Sequence, residues 1–115
     1  TILIHYMLRK MTKMMDGLMV YPDNMMRNLE KTGGLIYSQS ILLALVRKGI
    51  TREEAYKLVQ KNAMQSWEKG KDFLMLLKKD KEISKLLSVT EIDKTFKLTT
   101  QYKNIDRIFK RVFKN

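Results

Sequence analysis

Gly49-Ile50-Thr51-Arg52-Glu53-Glu54-Ala55-Tyr56-Lys57-Leu58-Val59 contains a complete start signal for a helix. Gly49 closes the segment before it. Thr51 and Glu54 form a capping box: the threonine hydroxyl accepts a backbone N–H of the first turn, and the glutamate reaches back to the threonine amide. The neighbouring carboxylates Glu53 and Glu54 fall in that first turn, where negative charge favours the helix dipole. They therefore read as helix support and not as an acid–base pair. Downstream, Ala55, Leu58, Val59, Ala63 and Trp67 recur with a helical period and supply an inward face as far as Gly70.

Upstream of Gly49, residues 35–48 form a strongly apolar helix that contains Ile41-Leu42-Leu43-Ala44-Leu45-Val46. Thr32-Gly33-Gly34 precedes it, and paired glycines cost about 2 kcal/mol against alanines inside a helix, so a break or sharp bend is expected there. Before that break, Met25-Met26-Arg27-Asn28-Leu29-Glu30-Lys31 makes a short helix. Pro22 sits at or just before its start, and Asp23 lies in or caps its first turn. Tyr21 precedes the proline and is pushed out of the α region, which makes Tyr21-Pro22-Asp23-Asn24 a turn.

The chain opens on another helix. Ile4, Leu8, Met11, Met15 and Leu18 form a heptad-type stripe that Tyr6, Met7 and Met14 widen, so this helix expects neighbours on more than one side. Asp16-Gly17 loosens it. Its first turn, Ile2-Leu3-Ile4-His5, lacks an acidic residue, so the start reads as a cut through a helix that begins earlier in a longer protein.

Past Gly70, Asp72 caps Phe73-Leu74-Met75-Leu76-Leu77, and Ile83-Leu86-Leu87 is a further short apolar patch. Ser88-Val89-Thr90-Glu91 is a second capping box, opening a short helix with Ile92 and Phe96. After Leu98-Thr99-Thr100, a last helix places Tyr102, Ile105, Ile108, Phe109, Val112 and Phe113 on one face. Lys103, Arg107, Lys110, Arg111 and Lys114 lie mostly on the other. Strand-type alternation and repeats of 20–50 residues are absent. The expected class is all-α: the end of a long central-bundle helix, then a small multi-helix C-terminal domain.

Composition narrows the chemistry. With 115 residues the chain holds one domain's worth of core. It has no cysteine, which removes disulfides, thiolate zinc sites and cysteine nucleophiles. The apolar runs fall far short of the ~20 residues that cross a bilayer, and the chain lacks a signal-peptide pattern. The single histidine, His5, has Leu8 and Arg9 as helical neighbours and no carboxylate to orient it as an acid or base. Thr32-Gly33-Gly34 lacks the Gly-Lys-Ser/Thr continuation of a phosphate loop, so helix-breaking glycine is the better reading. Most of the nine methionines sit at core spacing, which favours ordinary packing over an adaptable binding groove.

A net charge of +11 raises nucleic-acid binding as a separate possibility. The segment 49–69 superficially resembles a helix-turn-helix. Its candidate recognition helix, however, mixes Glu53, Glu54 and Glu68 with Lys57, Lys61 and Lys69, and only six of the 23 basic residues are arginine, the usual reader of base edges. The lysines read as scattered solubilising charge. No catalytic, substrate-binding or metal-ligating residue is assigned, and no cofactor.

Several segments together resemble one family. They are Val20-Tyr21-Pro22-Asp23-Asn24-Met25, Asn28-Leu29, Thr32-Gly33-Gly34-Leu35-Ile36-Tyr37-Ser38-Gln39 and Leu42-Leu43-Ala44-Leu45. Gly49, Thr51-Arg52-Glu53-Glu54-Ala55-Tyr56, Val59-Gln60, Asn62-Ala63-Met64, Trp67-Glu68 and Ile105-Asp106-Arg107-Ile108-Phe109-Lys110-Arg111 follow. In this order and spacing the chain is similar to the adenylosuccinate lyase family of the fumarase/aspartase superfamily, over its C-terminal part only. Ser40 departs from the pattern, because the family often has arginine after Ser-Gln.

The resemblance implies that residues 1–21 are the last, truncated helix of a central bundle domain and residues 22–115 a small helical C-terminal domain. It implies a cytoplasmic homotetramer of purine (AMP) biosynthesis that cleaves adenylosuccinate to AMP and fumarate, and the succinyl-carboxamide ribotide likewise, by β-elimination. The family's catalytic serine in its Gly-Ser-Ser loop, its histidines, and its phosphate-binding arginine and serine have no counterpart here, and His5 does not match a catalytic histidine. The chain alone is therefore expected to be inactive. The alternative is an autonomous basic helical module that binds nucleic acid or a protein partner.

Overall fold

A computed structural model describes residues 1–113, and among them every regular element is a helix. In chain order these are α1 (Ile2–Asp16), α2 (Pro22–Glu30), a 3-10 turn (Leu35–Tyr37), α3 (Ser38–Arg47), α4 (Arg52–Lys69) and α5 (Phe73–Lys79). α6 (Lys81–Leu86), α7 (Val89–Thr95), α8 (Leu98–Tyr102) and α9 (Ile105–Val112) complete the set. The all-α expectation holds. Lys114, expected on the basic face of the last helix, lies outside the described residues.

The local signals behave as the chemistry of their residues requires. The Glu54 amide donates to the Thr51 hydroxyl at 3.3 Å, and the Thr51 amide donates to the Glu54 carboxylate at 3.0 Å. Ser88 and Glu91 repeat the pattern at 3.3 and 2.9 Å. Asp72 caps α5 through the Met75 amide, and Pro22 occupies the first turn of α2. Gly33 and Gly34 both adopt positive φ and break the chain between α2 and the 3-10 turn, so α3 proper starts at Ser38.

The core gathers around α3, α4, α5 and α7. Ile41, Leu42 and Leu45 meet Ala55 and Val59, then Phe73, Leu77, Ile83, Leu87 and Ile92. Lys48–Glu91 and Lys78–Asp93 ion pairs, each 2.6 Å, fasten α7 from two sides. The Lys48 ammonium, with the Ser88 amide and hydroxyl, holds the Glu91 carboxyl down at a pKa of about 2.

Gly34 shows why the break needs glycine. Its φ is +88°, and a Cβ there would stand 2.9 Å from the Phe96 ring. Gly70 also has positive φ, +60°, but faces open space. Gly34→Ala is expected to lose about 2 kcal/mol of stability, combining left-handed strain with displacement of the ring, whereas Gly70→Ala loses about 1 kcal/mol from strain alone. Urea-unfolding midpoints of the two variants check the difference.

Several expectations differ from the outcome. The first helix ends at Asp16, capped by Gly17, and Leu18-Met19-Val20 lies beyond it despite its apolar character. The last helix is two helices, α8 and α9, separated by Lys103-Asn104. Trp67, expected on the inward face of α4, is 76% exposed, because the core contacts of that helix run along Ala55, Val59, Asn62 and Ser66. All nine methionines are exposed, so they do not fill the core. α1, α2 and α9 contribute no buried residue. The radius of gyration is 19.7 Å, against about 13 Å for a compact domain of this size.

Candidate functional site

Catalysis needs a titratable group with an orienting partner and a pocket. His5 lies exposed on α1. The acidic residue sharing its shallow depression is Asp16, eleven residues on, which is about 16 Å along a helix rising 1.5 Å per residue. The pair cannot share a proton. Glu53 and Glu54 are exposed in the first turn of α4, and Glu54 is committed to its cap. The Thr51 amide and hydroxyl hold its carboxyl below the usual range. Among the described residues no three or more His, Asp or Glu side chains gather as metal ligands, and no helix is long and apolar enough to cross a membrane.

The most polar node of the interior is Asp80, which the sequence reading missed. Its carboxylate accepts the Glu82 and Ile83 amides at 2.9 and 3.3 Å, capping α6. It also accepts Asn62 Nδ2 at 3.0 Å and Lys61 Nζ at 3.2 Å, tying α4 to the α5–α6 corner. Burial pushes this carboxyl up, but the bonds from Asn62, the Ile83 amide, Lys61 and the Glu82 amide together outweigh it. The net effect holds the carboxyl below its ordinary value. A carboxylate so fully engaged is a staple, with no lone pair left for a substrate proton. Its signal is a lone Asp before a helix start, hidden inside the charge run Lys78-Lys79-Asp80-Lys81-Glu82.

The surface carries the features able to bind. A mostly apolar groove of about 590 Å³ lies between α2 and the α7–α8 junction, walled by Met26, Leu29, Ile36, Phe96 and Leu98, with Glu30, Asp72 and Lys97 also lining it. Tyr37 also lines it, with its ring 4.9 Å from that of Phe96 and tilted by 40°. A second groove of about 450 Å³ lies beside Trp67. Ser40 accepts a hydrogen bond from Gln101 at 3.0 Å, joining α3 to α8. α1 also presents apolar surface, where Ile4, Leu8, Met11 and Met15 stand uncovered. Exposed apolar area of this extent marks a binding or assembly surface.

Residues 34–112 match the family model described as adenylosuccinate lyase C-terminus. The chain is 47% identical to the adenylosuccinate lyase of Streptococcus mutans over 112 residues, which is 97% of this chain and 26% of that protein. It is 45% identical to the adenylosuccinate lyase of Bacillus subtilis and 44% identical to that of Synechocystis, over 97% and 96% of this chain and again 26% of each relative. It thus spans about a quarter of the length of the curated relatives it matches. With both capping boxes inside the matched region, the chain belongs to the adenylosuccinate lyase family and carries that family's C-terminal region.

Proposed function

We propose that this chain acts as the C-terminal part of an adenylosuccinate lyase, serving assembly while other segments supply the chemistry. The intact enzyme would cleave adenylosuccinate to AMP and fumarate, and the succinyl-carboxamide ribotide likewise, in the cytoplasm as a homotetramer of purine biosynthesis. A base removes a proton beside a carboxylate, and an acid protonates the departing nitrogen. Residues 1–21 would close a central bundle domain, and residues 22–115 would form the small helical domain after it. The observation that carries this reading is similarity to three lyases across nearly the whole chain. The uncovered face of α1 supports it: apolar burial is worth roughly 25 cal/mol per Å², so α1 favours association wherever a partner face is available.

Activity separates this reading from a stand-alone module. The purified chain is expected to leave adenylosuccinate unchanged, followed by ultraviolet absorbance, because we identify neither a positioned acid–base pair nor a phosphate clamp among the described residues. The same chain joined to the protein sequence encoded before it is expected to turn the substrate over. Turnover by the chain alone, or none by the joined protein, would contradict the proposal.

A further inference from the structure

We draw no further inference here: the strongest candidate, the surface groove beside the exposed Trp67 near the end of α4, lined also by Lys31, Leu35 and Lys71, carries none, because its Ser66 and Asp72 side chains are engaged within the chain and nothing in the structure shows what covers it.

Discussion

Phe73→Ala is expected to cost about 3–5 kcal/mol, the range for deleting a buried aromatic ring, and to remove most of the cooperative urea transition of the isolated chain. Phe73 is fully buried in the core. Its ring lies 6.1 Å from that of Phe96, and its amide donates to the Gly33 carbonyl at 3.1 Å, so it ties the glycine break to α5 and α7. Domains of this size have only about 5–15 kcal/mol of stability in total, and this core is small for the chain length. Trp67→Ala removes a larger ring yet is expected to change stability by less than about 1 kcal/mol, because exposed positions change little. Equal losses for the two variants would show that burial is wrongly assigned.

Asp80→Ala is expected to cost about 3 kcal/mol. Loss of the α6 cap contributes roughly 1 kcal/mol, and the buried Asn62 amide left without its acceptor contributes about 1–3 kcal/mol. Asp80→Asn keeps a capping oxygen and should fall between the variant and the parent chain. Acid should act through the same group. The folded carboxyl lies below its ordinary value. Its stabilisation is therefore complete above the unfolded carboxyl value of about 3.9 and fades as pH falls through the lower folded value. Urea midpoints of the parent chain should drop as the solution is acidified below about pH 4. Asp80→Asn should flatten part of that fall and leave the share owed to Glu91. A pH profile unchanged by Asp80→Asn would contradict the staple.

What was legible in the sequence was local. Thr51 with Glu54, Ser88 with Glu91, Asp72, Pro22 and the glycine break each act within a few residues, so their partners can be read off neighbouring positions. What was hidden depends on a partner far along the chain or outside it. The stripe Ile4-Leu8-Met11-Met15 announces a face but not what covers it, and periodicity placed Trp67 inward although the core follows Asn62 and Ser66. The α8–α9 break at Lys103-Asn104 carries neither proline nor glycine to announce it. Asp80 acts across the 18 residues to Asn62, beyond the reach of any short motif.

The central proposal is that this chain would supply assembly surface to a lyase whose catalytic residues would lie elsewhere in the same protein. The most direct measurement reads the coding sequence in frame before the codon for Thr1. The expected result is a continuous reading frame that encodes a signature loop containing Gly-Ser-Ser, with lysine and asparagine shortly after it. An initiator codon immediately before Thr1, or an unrelated domain joined there, would contradict the account.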